Sequence, residues 1–169
     1  MSKVYELEVV EGSVAITSIS LAVKIANISN VNIKKGLELC FKINKDDKIT
    51  SNLTILRYLA ELAPSSQLYG ATLYHEATVH QYLDIFWNDL ELPLYYIITD
   101  PSGSYNFDVI LTVIEEILVS NTYLVSSNVT LADIYLYSIL KYAKDKKVIT
   151  DKLSKYQSIN RWYKTIENI

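Results

Sequence analysis

One segment, Asn128-Val-Thr-Leu-Ala-Asp-Ile134, constrains the fold of this 169-residue chain more than any other, because an apolar run follows it. Thr130 is a good helix N-cap residue, and Asp133 lies three residues later, where its side chain can accept a hydrogen bond from the backbone of the cap. Val129 and Ile134 occupy the two ends of a hydrophobic staple. The pattern predicts a helix buried on all sides, whose free N-terminal amides require such a cap.

The region from about residue 71 onward is dominated by apolar residues spaced three and four apart, the pattern of amphipathic helices. The predicted faces are Val79, Tyr82, Leu83, Phe86, Leu90 and Leu94; then Ile110, Val113, Ile114, Ile117 and Leu118; then Tyr156, Ile159, Tyr163 and Ile166. Pro93 should kink or end the first of these helices. Glu115 and Glu116 should point outward from the second helix.

The first 65 residues combine strand and helix patterns instead. Alternation over Tyr5–Val9 predicts a strand, the apolar run 15–28 predicts a helix, and alternation over 37–43 predicts a second strand with its odd-numbered residues on one face. Ser51 is expected to cap the next helix, which Pro64 should stop. The predicted order is therefore strand, helix, strand, turn and helix.

Charge and composition exclude several classes of protein. A net charge of −3 argues against a domain that binds nucleic acid by itself, and we interpret the lysines between 141 and 155 as a solvated helix end. Cys40 is the only cysteine, so no internal disulfide exists. His75 and His80 are five residues apart and do not share a helix face, so no metal site is expected. No signal peptide or transmembrane segment is apparent, and a cytoplasmic location is expected.

The chain resembles the glutathione-transferase fold, which joins a small thioredoxin-like lobe to an all-helical lobe. The resemblance depends on the cap Thr130-Leu-Ala-Asp133, on Ser51-Asn-Leu-Thr-Ile-Leu-Arg-Tyr-Leu-Ala60, and on Asn160-Arg-Trp-Tyr163. It implies an α+β, mostly α, glutathione-transferase-like (GST-like) fold. The implied lobes are an abbreviated thioredoxin-like lobe at 1–65 and a helical lobe at 71–169. One departure is that Ser126 or Ser127 replaces the glycine that commonly precedes the cap.

The same resemblance implies where glutathione would bind in an active relative. Ser13 is the candidate for contact with the thiol, although it is also an ordinary turn residue, the interpretation we favour. Ser51 and Asn52 stand where active relatives have Glu or Gln followed by Ser. No proline lies between Met1 and Ala63, where active relatives place a cis-proline. We therefore expect vestigial glutathione-site positions, no transferase activity and no cofactor.

Among non-catalytic relatives, the chain is similar to GST-like domains attached to aminoacyl-tRNA synthetases and their scaffold proteins. This implies a homodimer and docking to the GST-like domains of glutamyl-, glutaminyl- and methionyl-type synthetases. Arg161 is then an interface candidate that would offer a bidentate fork to a partner carboxylate, or else a solvated charge. Trp162 should be core with either interpretation.

Enrichment in Ile, Asn, Lys and Tyr is typical of an AT-rich genome. Together with the resemblance it suggests a parasite tRNA import protein, with tRNA bound only through a C-terminal region absent from this chain. In that case the location would be the parasite cell surface. Two alternatives stay open: a transferase that binds glutathione through unusual contacts, and the GST-like part of a translation elongation factor subunit.

Overall fold

The computed structural model describes residues 4–100, 102–149 and 153–169. The chain divides into two compact units, an N-terminal unit, Met1–Leu68, and a C-terminal unit, Tyr69–Ile169. Within the described residues, no helix combines the length and the apolar character needed to cross a membrane.

The N-terminal unit is a four-stranded mixed sheet with two helices. Its elements are β1 Tyr5–Val9, α1 Val14–Ile25, β2 Val31–Lys35, β3 Cys40–Lys42, β4 Lys48–Ile49 and α2 Asn52–Leu62, followed by a 3₁₀ turn at Pro64–Ser66. The strand order is β2-β1-β3-β4. β1 pairs in parallel with β2 and antiparallel with β3, and β4 pairs antiparallel with β3.

The predicted strand at Tyr5–Val9 is confirmed, and its alternation follows burial. Tyr5, Leu7 and Val9 are buried, whereas Glu6 is exposed and Glu8 is half-buried. The acidic residues form ion pairs with neighbouring strands, from Glu6 to Lys34 at 3.4 Å and from Glu8 to Lys42 at 2.8 Å. The sheet therefore has one apolar face and one face of paired charges.

The predicted second strand was wrong in its extent. Only Cys40–Lys42 is a strand, and Leu37 is fully exposed, because the short connection from β2 leaves it outside the sheet. A strand at Val31–Lys35 was missed, since this edge strand has no buried residue and so lacks the alternation that predicts a half-buried strand. The helix predicted at 15–28 ends at Ile25.

The C-terminal unit is helical. Its elements are α3 Leu73–Phe86, a π-helical turn Trp87–Glu91, α4 Leu92–Thr99, α5 Asp108–Ser120, α6 Leu131–Asp145 and α7 Gln157–Glu167. Every residue of α6 from 131 to 140 is buried, and α6 packs against α3 and α7. The predicted interior helix is therefore confirmed, as are the buried positions of the last helix, from Tyr156 to Ile166.

The predicted kink at Pro93 takes the form of one widened turn. Proline lacks the amide hydrogen that would bond to the fourth preceding carbonyl, and its ring crowds that carbonyl. The ladder shifts just before Pro93, where the amide of Leu92 donates to the carbonyl of Trp87, five residues back. The helical path then continues as α4, so the apolar face of α3 extends to the buried Leu90 and Leu94.

The face predicted for α5 was only partly correct. The buried residues are Leu111, Ile114 and Leu118, whereas Val113 is 46% exposed. Glu115 was expected to point outward, yet it is half-buried and bonds to the backbone of α7. The prediction failed because the apolar residues of α5 fit two adjoining faces, and only tertiary packing selects one of them.

Candidate functional site

Ser13 is the N-cap of α1. Its hydroxyl donates to the carbonyl oxygen of Val10 at 2.7 Å and accepts from the amide of Ile16 at 3.4 Å. The preceding Gly12 has φ +67°, a left-handed conformation that favours glycine and turns the chain from β1 into α1. Ser13 therefore has the contacts of a turn and cap residue, and its one hydrogen is donated to the backbone.

Ser51 and Asn52 lie at the start of α2. The hydroxyl of Ser51 accepts from the amide of Thr54 at 3.5 Å and caps the helix. The side-chain oxygen of Asn52 accepts from the hydroxyl of Ser18, on the buried face of α1, at 3.0 Å. The amide nitrogen of Asn52 is buried without a hydrogen-bond partner. Asn52 therefore ties α2 to α1 and leaves one donor unsatisfied.

The chemistry available at these three positions is limited. A transferase must lower the thiol pKa of glutathione, which requires a free hydrogen-bond donor or a cationic environment. Ser13 donates its hydrogen to the backbone, whereas Ser51 accepts from the backbone and keeps its own hydrogen for a further bond. The unpaired amide of Asn52 is a neutral donor that can hold one acceptor. The described peptide bonds are all trans. The arrangement favours helix capping over activation of a thiol.

The buried carboxylate of Asp133 organises the C-terminal unit. One oxygen accepts from the amide and the hydroxyl of Thr130, both at 3.0 Å. The other accepts from the amide of Leu124 at 3.0 Å and from the indole N–H of Trp162 at 2.9 Å. Thr130 and Asp133 form a capping box, and Ile134 is fully buried beside it, while Val129 is half-buried. The carboxylate thus joins α6, the segment before it and α7.

Arg161 and Glu115 cap each other's helices. The Arg161 guanidinium on α7 donates to the carbonyls of Leu118 and Asn121 at the end of α5, the latter at 3.1 Å. In return, the Glu115 carboxylate accepts from the amides of Ser158, at 2.8 Å, and Ile159, at 2.9 Å, in the first turn of α7. Sequence reasoning missed Glu115, because its partners lie more than 40 residues away.

Burial alone would raise the pKa of the Glu115 carboxyl, but the amides of Ser158 and Ile159 hold its pKa below the usual value. Trp162, between these contacts and Asp133, is 1% exposed, which confirms the prediction that it is core.

Among the residues that the structure describes, no cluster of three or more His, Cys, Asp or Glu has the geometry to hold a metal ion. Cys40 is buried in the sheet.

The chain is similar to known proteins in sequence and in fold. Residues 106–169 match the model of the glutathione S-transferase C-terminal domain. A probable cytoplasmic glutamate–tRNA ligase of Dictyostelium discoideum is 29% identical over 133 residues, 77% of this chain and 16% of the ligase. Elongation factor 1-gamma of Schizosaccharomyces pombe is 32% identical over 130 residues, 70% of this chain and 32% of the factor.

The structure of poplar glutathione transferase F1 superposes with a TM-score of 0.82 at 14% identity, covering 99% of this chain and 94% of the transferase. The predicted GST-like fold, a thioredoxin-like lobe with a helical lobe, is therefore confirmed. The chain spans only 16% of this ligase and 32% of this elongation factor. The matches to a tRNA ligase and to an elongation factor do not support the prediction that this chain is a parasite tRNA import protein.

Proposed function

We propose that this chain is a non-catalytic GST-like docking domain, with lobes at 1–65 and 71–169, that joins proteins of the translation apparatus. The observation behind this proposal is the bonding of Ser13. Its hydroxyl donates its one hydrogen to the backbone carbonyl of Val10, in a fold that, in active relatives, presents such a hydroxyl to glutathione. A fold alone does not determine function. A chain with this fold and without a working thiol site can therefore function by binding other proteins through its surface.

The relatives supply the class of partner. The matched glutamate–tRNA ligase and elongation factor 1-gamma are both translation proteins, and the match covers a minor part of each. We infer that the chain pairs with GST-like domains of glutamyl-, glutaminyl- or methionyl-type synthetases. We also infer that it forms a homodimer when alone, because the fold pairs readily through isologous faces.

Calorimetric titration with glutathione tests the absence of catalysis. We expect no measurable binding at millimolar ligand and no conjugating activity, with an active glutathione transferase titrated in parallel as positive control. Asn52→Leu is the matched variant, because it removes the one unsatisfied donor and should leave the null result unchanged. Sub-millimolar binding that Asn52→Leu abolishes would show that the site still works, and the proposal would then be wrong.

Pairwise capture tests the partner. The chain would be immobilised and offered the purified GST-like segments of a glutamate–tRNA ligase and of elongation factor 1-gamma in separate experiments. Retention of the ligase segment supports the synthetase assembly. Selective retention of the elongation factor segment supports the second candidate, the GST-like part of an elongation factor subunit, which the 32% identity over 70% of the chain favours. Retention of neither contradicts both.

A further inference from the structure

One long stretch of the chain has no basic side chain. Between Arg57 and Lys141 the sequence has no Lys or Arg, while it has ten Asp and Glu residues. The stretch covers α3, α4, α5 and most of α6. The side chains of these helices are therefore acidic, polar or apolar, and apart from the start of α5, where Lys155 pairs with Asp108, they favour a cationic ligand over an anionic one.

A groove lies along α4 and the loop after it, within the C-terminal unit. It has a volume of about 310 Å³, and its lining includes Leu92, Pro93, Tyr96, Ile97, Asp100 and Tyr105. Tyr96 and Tyr105 are 61% and 39% exposed. Tyr95, which is also well exposed, makes an edge contact with Tyr96 at a centroid distance of 6.3 Å. We call this surface the tyrosine groove.

The acidic group of the tyrosine groove is held in place. One carboxylate oxygen of Asp100 accepts from the amide of Ser102 at 3.1 Å and from its hydroxyl at 2.6 Å. These bonds hold the pKa of Asp100 below its usual value, so the group is ionised at neutral pH. No Lys or Arg is among the described residues that line the groove. Lys155 forms its ion pair with Asp108, the first residue of α5.

We propose that the tyrosine groove binds an extended, arginine-containing segment of a partner protein. A guanidinium group stacks on exposed tyrosine rings and pairs with carboxylates, and apolar neighbours of that arginine would fill the space between Pro93 and Ile97. Nucleic acid and phosphorylated segments are disfavoured, because the groove residues that the structure describes include no Lys or Arg. The inference does not depend on the proposed pairing of GST-like domains.

The probe is a short, fluorescein-labelled, unstructured peptide of alternating arginine, leucine and serine, titrated with the full chain and followed by fluorescence anisotropy. The matched control peptide has citrulline in place of each arginine, which keeps the shape and removes the charge. We expect saturable binding of the arginine peptide, weakened about tenfold or more in the citrulline peptide, and weakened further by added salt.

Two variants place the binding at the groove. Tyr96→Ala and Asp100→Asn should each weaken the arginine peptide by about fivefold or more. Tyr74→Ala, which removes a 77% exposed tyrosine outside the groove, should not change the binding. Circular dichroism and melting curves would show that the variants are folded. If Tyr96→Ala does not fold, the wild-type chain with the two peptides and Asp100→Asn still decide the question.

Three results would overturn the proposal. Equal binding of the citrulline peptide would mean that only apolar contact matters. Binding that is unaffected by Tyr96→Ala and Asp100→Asn would place the peptide elsewhere. Absence of peptide binding, together with self-association in sedimentation that Tyr96→Ala removes, would identify the occupant as a second copy of this chain.

Discussion

At the scale of single residues, Asp133 is the side chain on which the helical unit depends most. It is fully buried, and its carboxylate accepts four hydrogen bonds, from two backbone amides, one hydroxyl and one indole N–H. A carboxylate can accept all four of these bonds, since each oxygen has two lone pairs. No uncharged side chain of the same shape can do so.

We therefore predict that Asp133→Asn destabilises the chain by about 2–4 kcal/mol. Whichever way the new amide is turned, its NH₂ group faces two donors and loses both bonds. Urea unfolding followed by tryptophan fluorescence would measure the change. Glu116→Gln, at an exposed site on α5, is the control and should stay within about 0.5 kcal/mol of the wild type. A loss under about 1 kcal/mol for Asp133→Asn would contradict this account.

Glu91 offers a test of pH dependence. Burial raises the pKa of this carboxyl, and the hydroxyl of Tyr135, which donates to it, offsets that shift only in part. The folded chain thus holds the proton more tightly than the unfolded chain does. The stabilising contribution is fully present below the unfolded pKa and is lost as pH rises through the folded pKa.

Glu91→Gln should therefore gain stability relative to the wild type as pH rises. Gln keeps the acceptor for Tyr135 and has no charge to bury. We expect the difference in unfolding free energy to move by about 1 kcal/mol in favour of the variant between about pH 4 and pH 7. Urea unfolding at several pH values measures it, with Glu116→Gln as background. A difference that does not change with pH would show that Glu91 is not the titrating group.

At the scale of elements, α5 and α7 stabilise each other's ends. Helix termini leave amides and carbonyls without intrahelical partners, and α7 has no side-chain cap of its own at Tyr156. Glu115 supplies the acceptor for its first turn, and Arg161 supplies donors for the end of α5. This use of Arg161 does not exclude the contact with a partner that the sequence suggested, but it adds a cost in stability to every substitution there.

Stability and partner binding separate these two roles of Arg161. Glu115→Gln should cost about 1–2 kcal/mol, because one amide of the pair loses its acceptor, and Arg161→Met should cost about 1 kcal/mol. If Arg161 also contacts a partner, Arg161→Met weakens capture of that partner, whereas Glu115→Gln does not. Equal weakening by both variants would indicate helix capping alone. Unchanged melting of Arg161→Met would contradict the reciprocal cap.

The same elements show what a sequence can predict. The cap of α6 was predictable because Thr130 and Asp133 are three residues apart, so their contact is local. β2 was not, because a strand at the edge of a sheet, exposed along its length, has no apolar alternation. The contact of Glu115 with α7 was not predictable either, because the position of Glu115 along α5 is compatible with a side chain that points outward. Only the packing of α5 against α7 brings it to the amides of Ser158 and Ile159.

At the scale of the whole molecule, charge is segregated along the sequence. The stretch between Arg57 and Lys141 is acidic, and most of the later charges are lysines. Several of these lysines have partners within the chain. Lys144 lies 4.1 Å from the ring centroid of Tyr163, and Lys155 pairs with Asp108 at 3.2 Å. The basic segment is thus partly neutralised or stacked by its own chain, which reduces what it can offer to phosphates.

This distribution predicts weak binding of tRNA. Affinity for nucleic acid comes largely from the counterions that Lys and Arg release from phosphates. With a net charge of −3, we expect a dissociation constant above about 10 μM at physiological salt. Filter binding with purified tRNA measures it, and Lys144→Glu with Lys146→Glu is the matched variant, which should remove any residual retention at low salt. Tight capture that falls steeply with salt and disappears in this variant would make the lysine segment a true RNA site. The interpretation of this domain as one that docks proteins and does not bind tRNA by itself would then be wrong.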